Sequence, residues 1–395
     1  MGWKRTSVME ERLRFVVLAN AGNRSIKDLC EEFGISRQTG YVWLRRYQAG
    51  GQAALRDRSR RPLSSPGKSP PEAEQAVVEL REKWPDWGAP KLARLLGQNK
   101  PSLAITVRTV HRILSRRGLI APEDRHRQAV KRFEREAPNE MWQMDFKGPA
   151  PEGGDFVGPL SMLDDHSRYL LELRRLGNTQ AEGVRSRLTA TFQSVGMPDS
   201  MLLDHGTPWW NAASPWGLTE LSVWIMQLGI RLIYSGIRHP QTQGKVERMH
   251  QSLKIAVKKR HGNLEDQNWL DAFREEYNNI RPHEAIGMAT PASRWQPSTN
   301  YPPEKLREWE YDPSAECAQL GCDGQLGWHG RRWEISNALR RQVVGIERID
   351  DRAIVYFCRT PIRELNLRTG EAIPILGAPI RRFGSEEERL NQPTS

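Results

Sequence analysis

The apolar residues of this chain follow three successive patterns. Up to about residue 120 they recur every three to four positions, the spacing of a helix that buries one side. From Glu140 they alternate with polar residues, as in strands, and helical spacing returns between the alternating runs. After a Pro-rich break at residues 296–303, short alternating runs dominate again. The pattern predicts a helical first third, an α/β middle and a strand-rich final part.

Residues 8–47 have the pattern of three short helices. Ser25 and Ser36 each precede a helical run, where a serine side chain can accept a hydrogen bond from the first turn. A Gly-containing turn joins the last two runs, which is typical of a helix-turn-helix. Val42 and Leu44 are expected to pack the last helix. Its remaining surface would present four side chains to a DNA major groove: Arg37, Gln38, Tyr41 and Arg45.

Residues 56–71 are interpreted as a linker, because they are rich in Arg, Ser and Pro and have no periodicity. Two interpretations of its arginines stay open. They could enter a minor groove as a flexible arm, or they could keep a plain spacer soluble. The arginines concerned are Arg56, Arg58, Arg60 and Arg61.

Residues 72–122 predict a second helix-turn-helix, with or without a wing. Thr106 can cap its last helix, whose apolar side begins at Val107. Three arginines on the other side are candidates for DNA binding: Arg108, Arg112 and Arg116. Two such modules would read a longer DNA site than one. With residues 1–55 as the first module, the polar residues 123–138 then form a connector to the rest of the chain.

Charge supports a nucleic-acid partner. The formal net charge is +11 and the sequence pI about 9.7. Residues 1–133 hold 27 Lys and Arg against 13 Asp and Glu, a net charge of +14, whereas residues 134–395 together carry −3. This segregation places the attraction for phosphate in the first third of the chain.

The four cysteines are sparse, and their spacing resembles neither a zinc site nor a disulfide framework. They fit a reducing cytosol, and Cys317 and Cys322 are interpreted as ordinary core thiols. No signal peptide opens the chain, and no apolar run reaches the 18 or so residues of a membrane span. We therefore expect a cytoplasmic protein, associated with nucleic acid and not with a membrane.

The middle part predicts a mixed sheet with acids at its edge. In MWQMDFKG, apolar and polar residues alternate, so Asp145 projects from the face opposite the aromatic side chains. Two strands follow, near residues 158–163 and 169–176, then a helix to about Val195 with a Thr179–Glu182 capping box. A buried strand (201–204) ends in Asp204. A helix capped by Thr219 and a strand at residues 231–234 complete the pattern.

The stretch HPQTQGKVERMHQSLKIAVKK, residues 239–259, predicts a loop followed by a helix. Its apolar stripe consists of Val246, Met249, Leu253 and Val257. Glu247 lies about 100° off that stripe, and Gln251, Lys254 and Lys258 share its side. A carboxylate beside cations suits an enzyme that acts on phosphodiesters, although a solvated surface helix has the same pattern.

The order of elements brings three acids within reach of one another. Ligands of α/β sheets gather beyond the strand ends, so Asp145 and Asp204 are expected to be neighbours, with Glu247 reaching them from the covering helix. Three carboxylates repel each other unless a divalent cation neutralises them. Oxygen donors without nearby Cys or paired His favour Mg²⁺ or Mn²⁺ over zinc.

Four motifs, NEMWQMDFKG, LLDHGTPW, HPQTQGKVERMHQSLK and YNNIRPHEAIGMATPASRW, strongly resemble those of bacterial insertion-sequence transposases of the Asp-Asp-Glu type. The resemblance spans roughly residues 8–370. It implies a retroviral-integrase-like catalytic core with an RNase H-like fold. The expected architecture is therefore multidomain: all-α helix-turn-helix domains, an α/β core with a mixed sheet flanked by helices, and a small β-barrel.

The resemblance also assigns roles to residues. Asp145, Asp204 and Glu247 would be the catalytic triad and would hold two Mg²⁺ or Mn²⁺ ions per active site. Lys254 falls where these transposases keep a basic residue that contacts donor DNA, and its neighbours Lys245 and Lys258 are further DNA-binding candidates. The 43-residue separation between Asp204 and Glu247 is longer than is common in the family, and residues 207–217 look like the local insertion.

The function implied is DNA transposition: binding of terminal inverted repeats, 3′-end cleavage and strand transfer into target DNA by at least a dimer. The alternatives are a catalytically inactive, element-derived DNA-binding regulator and an RNase H-like nuclease without joining activity. His205 and His239 flank the site and are interpreted mainly as local hydrogen-bonding partners. The adjacent Asp164 and Asp165 are interpreted as structural. Whether residues 281–283 pack or bind DNA stays open.

The remaining boundaries follow from the same patterns. The core is expected over residues 139–298 and the barrel over residues 299–375, followed by a polar tail from 376 to 395. Strands of the barrel are expected near residues 325–328, 332–335, 342–349, 353–357 and 363–366. The barrel would contact DNA or another subunit, or would serve as a plain structural cap.

Overall fold

The computed structural model describes residues 7–57, 69–120, 134–148, 158–211, 217–235, 244–306 and 308–376. The chain divides into two compact units, Met1–Lys68 and Ser69–Ser395. The predictions for Arg58, Arg60, Arg61 and His239 concern residues outside the described ranges, as do those for most of the connector and the tail.

The first unit is a three-helix head in which a serine caps each helix: Ser7, Ser25 and Ser36. It contains α1 (Val8–Asn20), α2 (Ile26–Glu32), α3 (Arg37–Gly50) and a short 3-10 helix, Gln52–Leu55. The Ser25 and Ser36 side chains accept hydrogen bonds from the backbone N–H groups of Asp28 (3.1 Å) and Thr39 (3.2 Å). Both predicted caps are confirmed, because each oxygen satisfies an N–H that has no partner within its own helix.

A glycine inside α3 allows the three helices to pack closely. A Cβ at Gly40 would lie 2.7 Å from Sγ of Cys30 and 2.9 Å from Cζ of Phe15. Leu44 is buried one turn later, as predicted. Val42 is exposed, however, so the prediction that it packs is wrong. Two residues along a helix turn a side chain by about 200°, which points position 42 away from the contact made by Gly40.

The second helical module, at the start of the second unit, contains α4 (Pro71–Lys83), α5 (Ala89–Asn99) and α6 (Val107–Arg116). Thr106 caps α6 as predicted, with its hydroxyl accepting from the Thr109 N–H at 3.3 Å. The described residues 69–120 contain helices and no strand, so no wing occurs within them. The buried side chains that hold the three helices together include Val77, Trp87, Leu92, Leu96, Val110 and Ile113.

A mixed five-stranded sheet forms the centre of the second unit, as the sequence predicts. Its strands are β1 (Trp142–Phe146), β2 (Leu160–Asp164), β3 (Leu170–Arg174), β4 (Ser200–Leu203) and β5 (Arg231–Tyr234), in the order β3-β2-β1-β4-β5. Strands β1, β2 and β3 pair antiparallel, whereas β4 runs parallel to both β1 and β5. This mixed topology is consistent with an RNase H-like core.

Helices cover both faces of that sheet. They are α7 (Ala181–Val195), α8 (Glu220–Gln227), α9 (Gly244–Arg260) and α10 (Gln267–Asn279). Phe192 of α7 and Trp224 of α8 belong to the apolar cluster of Trp142, whereas the apolar residues of α9 and α10 cluster with Leu163 and Leu170. The sheet is therefore buried on both sides, and polar side chains of β1 face α9.

Two predicted helix caps differ in outcome. Thr219 and Ser222 exchange side-chain-to-backbone hydrogen bonds at the start of α8, which confirms that cap. The Thr179–Glu182 capping box is wrong: the residue before α7 is Gln180, and no side chain bonds the first turn there. Because α7 begins at Ala181, Thr179 lies one residue too early to act as the cap.

The C-terminal part is strand-rich but does not form the predicted barrel. Its strands are β6 (Glu316–Gln319), β7 (Gln325–Trp328), β8 (Arg331–Glu334), β9 (Val343–Ile349), β10 (Arg352–Phe357), β11 (Thr360–Asn366) and β12 (Ala372–Pro374). Within residues 308–376, the order β12-β11-β10-β9-β6 leaves an open sheet beside the β7–β8 pair. Edge strands β6 and β12 were missed by the sequence pattern because both are short and mostly exposed.

These sheets pack on the core and need no closed interior of their own. Their buried residues, among them Leu339 and Val344, share one apolar cluster with Trp224 and Ile225 of α8. The Leu232 N–H of β5 also donates to the Thr360 hydroxyl at 3.3 Å. A sheet that buries one face on a neighbouring core can remain open.

The four cysteines differ in their exposure to solvent. Cys30 and Cys358 are buried, but Cys317 on edge strand β6 and Cys322 in the following turn are exposed and free. Their interpretation as core thiols is therefore wrong.

No helix within the described ranges combines the length and apolarity of a membrane span.

A buried ion-pair cluster docks the second helical module on the core. Asp86, between α4 and α5, is fully buried and accepts from Arg260 Nε (2.6 Å) and Arg281 Nη1 (2.9 Å). Arg260 also pairs with Glu276 of α10. Arg260 lies over the ring of Trp84 and Arg281 over that of Trp87, at 5.0 and 5.7 Å from the centroids.

The cluster decides a question that the sequence left open, because Arg281 is 6% exposed and its guanidinium joins two parts of the protein. His283 beside it is partly buried, with its ring edge-on to that of Tyr277, and this desolvation lowers the pKa of His283 to about 3. Both residues therefore pack the interior between the module and the core.

We expect Asp86→Ala to destabilise the second unit by about 3–5 kcal/mol, because it leaves two buried guanidinium groups without their shared carboxylate. Denaturant unfolding of the full chain measures this loss. Lys91→Ala is the matched control, since it removes the nearby Lys91–Glu284 pair, whose carboxylate is half exposed. That control should cost less than about 1 kcal/mol, and equal losses in the two variants would contradict the docking role of Asp86.

Candidate functional site

Two aspartates lie on neighbouring parallel strands at the centre of the sheet. Asp145 is near the end of β1, and Asp204 follows the last residue of β4. Asp145 shares a face of β1 with Gln143, whose side-chain oxygen lies 3.3 Å from the Val246 N–H of α9. The predicted orientation of Asp145 is confirmed, because the alternate residues Trp142 and Met144 are buried in the cluster on the opposite face.

Helix α9 has the predicted amphipathic pattern. Val246, Met249 and Leu253 are buried on the sheet, and Val257 is partly buried beside them. The other side of the helix is exposed and carries Glu247, Gln251, Lys254 and Lys258. The stripe positions α9 on the sheet, so that Glu247 comes from a different element toward the two aspartates.

Two neighbouring carboxylates influence the pKa of Asp145. Burial is the largest cause, and together with the charges of Asp204 and Glu247 it raises the pKa of Asp145 to about 7, against the lowering effects of the Phe146 N–H and Lys147. Such a shift arises where a poorly solvated carboxyl lies near like charges. The ionised form of Asp145 is therefore disfavoured by its surroundings.

One oxygen of Asp204 is already bonded. Its Oδ1 accepts from the Trp209 indole N–H at 2.7 Å and from the Gly206 N–H at 2.9 Å. A Cβ at Gly206 would lie 2.9 Å from that oxygen, which explains the glycine two residues after the acid. Sequence reasoning missed Trp209, because no periodic signal reveals which of several tryptophans will turn its ring toward an acid.

A neutral histidine lies behind Asp145. His250 Nε2 is 2.8 Å from the Ser161 hydroxyl, and its Nδ1 is 3.7 Å from Oδ2 of Asp145. Burial, and then the charge of Lys147, lower the pKa of His250 to about 4. At neutral pH the ring is therefore uncharged and does not offset the negative charge of Asp145.

Two lysines supply positive charge beside the acids. Burial and the charge of Lys254 lower the pKa of Lys147, whereas Asp145 raises it. Lys147 was not singled out from the sequence, although it shares a face of its strand with Asp145. Together the two lysines suit the phosphate groups of a strand passing over the site.

The side chains of Lys245, Asp164 and Asp165 make contacts within the protein. Lys245, a DNA-binding candidate, pairs with the buried Asp165, and burial lowers the pKa of Lys245 to about 8. Asp164 accepts from the Ser167 N–H, the Ser167 hydroxyl and the Asn139 N–H. The structural interpretation of the two adjacent aspartates is confirmed, and Lys245 joins the start of α9 to their turn.

His205 packs against two aromatic side chains. Its ring lies edge-on to Trp210 and close to Tyr234, with centroids 4.6 and 5.7 Å away. Burial lowers the pKa of His205. The ring fills the space between two aromatic side chains at the rim of the site.

The described helix-turn-helix candidates all lie on exposed surfaces. The four candidates on α3 are Arg37, Gln38, Tyr41 and Arg45. Arg56 is exposed after the first module, as are Arg108, Arg112 and Arg116 on α6. Arg116 differs from the others because it also pairs with the buried Glu74 of α4 at 2.7 Å, a contact that the sequence pattern did not indicate.

The donor chemistry of the site suits a divalent cation. All three acids offer carboxylate oxygen, the donor that hard divalent cations prefer. Within the described ranges, however, no three His, Cys, Asp or Glu side chains approach closely enough to hold an ion. Asp204 and Glu247 therefore influence the pKa of Asp145, but in the described structure the three side chains do not approach closely enough to hold one ion.

The pKa of Asp145 predicts how stability depends on pH. A carboxyl whose folded pKa is about 7, above an unfolded value near 3.8, contributes stability below pH 3.8 that is lost as pH rises through 7. Asp145→Asn cannot ionise. We therefore expect the variant to exceed the wild type in free energy of unfolding at pH 8, by on the order of 1–3 kcal/mol, and to match it near pH 4.

Thermal or denaturant unfolding across this pH range measures the difference. Glu79→Gln on the exposed side of α4 is the control, since it removes one carboxylate away from the site. The same profile in both variants would show that Asp145 has an ordinary environment.

Comparison with known proteins adds evidence of relationship. Residues 11–62 match the model of a helix-turn-helix domain, residues 39–114 that of a homeodomain-like domain, and residues 228–291 that of an integrase core domain. Over 199 residues the chain is 24% identical to the "Insertion element IS407 uncharacterized 31.7 kDa protein" of Burkholderia multivorans. That match covers 46% of this chain and 66% of the relative, just under two thirds of its length.

Two solved structures show weaker likeness. One is the simian T-cell lymphotropic virus intasome in complex with PP2A regulatory subunit B56 gamma, with 16% identity, a TM-score of 0.35 and coverage of 72% of this chain and 97% of that one. The other is the HTLV-2 integrase catalytic core domain in complex with magnesium (trimeric form), with 17% identity, a TM-score of 0.30 and coverage of 40% and 97%. TM-scores this low carry no argument about this chain. The domain matches and the insertion-element relative confirm the family that the motifs indicate: the chain resembles insertion-sequence transposases and combines helix-turn-helix domains with an integrase-like core.

Proposed function

We propose that this protein is the transposase of an insertion sequence. It binds the terminal inverted repeats of the element, cleaves DNA at their 3′ ends and joins those ends to target DNA. The observation that carries the proposal is the placement of Asp145 and Asp204 on neighbouring parallel strands, where the charges of Asp204 and Glu247 both raise the pKa of Asp145. Such a set suits phosphodiester chemistry with hard divalent cations.

In the proposed mechanism Asp145, Asp204 and Glu247 would hold two Mg²⁺ or Mn²⁺ ions. When bound, such ions would supply activation of the attacking oxygen and stabilisation of the leaving oxygen in an in-line displacement. Lys147 and Lys254 hold the phosphates of the strand beside the acids, and Lys258 extends this contact along α9. The freed 3′-hydroxyl serves as the attacking group in joining, so no Ser or Tyr nucleophile of the protein is required.

The helical modules supply recognition in this proposal. The exposed residues of α3 and α6 enter successive major grooves of a terminal repeat, and the net charge of the first 133 residues attracts its backbone. Two ends must be paired before joining, so the active form contains at least two copies of the chain. The C-terminal sheets cap the core or contact DNA.

A specific observation also favours a second candidate. Because the described acids do not close around one point, an element-derived DNA-binding regulator without catalysis also fits this structure. The two candidates differ in turnover, and both require DNA binding.

The triad prediction separates them. We expect Asp145→Asn, Asp204→Asn and Glu247→Gln each to lower strand transfer with Mg²⁺ by more than about 1,000-fold, because each removes a ligand that stabilises transition-state charge. DNA binding in a gel-shift assay should change by less than about threefold. Glu275→Gln, on the exposed side of α10, is the control and should join DNA normally. Joining that persists in a purified triad variant, or is absent from the wild type, would refute the enzyme proposal.

Recognition by α3 generates a separate prediction. In the full chain, Arg37→Ala combined with Arg45→Ala should weaken binding to terminal-repeat DNA and lower the slope of log affinity against log salt by up to about 2, since each lost phosphate contact removes about 1. Arg24→Ala is the control, because Arg24 lies before α2 and pairs with Glu32. Wild-type binding with no preference over scrambled DNA would contradict sequence recognition.

A further inference from the structure

The loop after Asp204 donates two hydrogen bonds to one oxygen of that residue. The Trp209 indole N–H reaches Oδ1 at 2.7 Å, and the Gly206 N–H reaches the same atom at 2.9 Å. Within the described residues, Oδ2 of Asp204 makes no hydrogen bond. The carboxylate is therefore oriented by one oxygen, and the other is left available to a ligand.

The donor itself is rigidly held. Trp209 is 1% exposed, and its ring stacks on Phe146 with centroids 5.5 Å apart and planes within 8° of parallel. The Tyr234 hydroxyl donates to the Trp209 carbonyl at 2.9 Å. Phe146 directly follows Asp145 on β1, and Tyr234 ends β5. The ring of Trp209 is thus held by β1 and its backbone by β5, the two strands on either side of the one that leads to Asp204.

The choice of side chain at position 209 is informative. Stacking on Phe146 requires only an aromatic ring, which phenylalanine would also supply. A buried indole N–H, however, needs an acceptor, and here the acceptor is an acid of the candidate site. The neighbouring Trp210 differs, because it packs against His205 and Tyr234 and has no hydrogen bond to Asp204 within the described residues.

We propose that Trp209 is a positioning residue for the site: its indole N–H orients the Asp204 carboxylate so that Oδ2 is presented to a divalent cation. This inference rests on the proposed function, in which Asp204 binds such a cation. Trp209 touches neither the cation nor the DNA and acts only through Asp204. Hydrogen-bonded partners of metal ligands typically contribute 10–100-fold to metal affinity.

Trp209→Phe in the full chain tests the proposal, since it keeps the stacked ring and removes the donor. We expect the Kd for Mn²⁺, measured by water-proton relaxation without DNA, to rise about 10–100-fold. In strand-transfer assays, the Mg²⁺ concentration for half-maximal rate should rise by a similar factor. The maximal rate at saturating Mg²⁺ should stay within about threefold of wild type, because the ligand set is intact. Trp210→Phe is the matched control. It should leave unchanged both the Kd for Mn²⁺ and the Mg²⁺ concentration that gives the half-maximal rate.

A second measurement keeps Trp209 in place and so does not depend on the folding of a variant at that position. In ¹⁵N-indole NMR spectra of the metal-free protein, Asp204→Asn should shift the Trp209 Nε1–H resonance because the acceptor loses its charge, and should leave that of Trp210 nearly unchanged. An unshifted Trp209 resonance, or wild-type Mn²⁺ affinity in folded Trp209→Phe, would overturn the positioning role.

These outcomes are separable from those that test the proposed function. A wild-type protein that binds Mn²⁺ through Asp204 but joins no DNA would refute transposition and leave the role of Trp209 supported by its metal affinities. Conversely, a wild-type protein that joins DNA, with a Trp209→Phe variant equal to it in metal affinity, would refute the positioning role alone.

Discussion

The partial burial of the Asp145 carboxyl is the constraint on which the rest of the candidate site depends. Burial first, and then the charges of Asp204 and Glu247, raise the pKa of Asp145 to about 7. An unfavourably placed carboxyl of this kind persists only if its surroundings are rigid. Here the rigidity comes from a sheet buried on both faces and from α9, whose apolar stripe packs against it. The stability lost at the acids is offset by this packing, as is common where a protein keeps charges ready for a ligand.

Much of this arrangement could be predicted from the sequence because it depends on short-range periodicity. Alternation along MWQMDFKG gave the correct face for Asp145, and the apolar spacing of α9 gave the correct side for Glu247. Helix caps at Ser25, Ser36 and Thr219 follow from the same local logic. The errors are also local in kind: the capping box at Thr179 was misplaced by one residue.

What the sequence did not predict depends on contacts between distant residues. The Asp86 cluster joins residues nearly 200 positions apart, and no periodic pattern reveals such a pairing. The bond from Trp209 to Asp204 is close in sequence, yet it depends on a ring orientation set by β1 and β5. The open C-terminal sheet was mistaken for a barrel for a related reason, since strand spacing does not show whether an apolar face closes on itself or packs on a neighbour.

The ion pair between Lys245 and Asp165 has a consequence for how this core tolerates change in length. Lys245 precedes Glu247 by two residues, and Asp165 belongs to the turn between β2 and β3, which also binds Gln143 of β1. The start of α9 is therefore anchored to the antiparallel half of the sheet. This ion pair, and not the length of the 43-residue interval between Asp204 and Glu247, then sets where Glu247 lies along the sheet. A change in loop length within that interval is tolerated as long as the pair between Lys245 and Asp165 is kept.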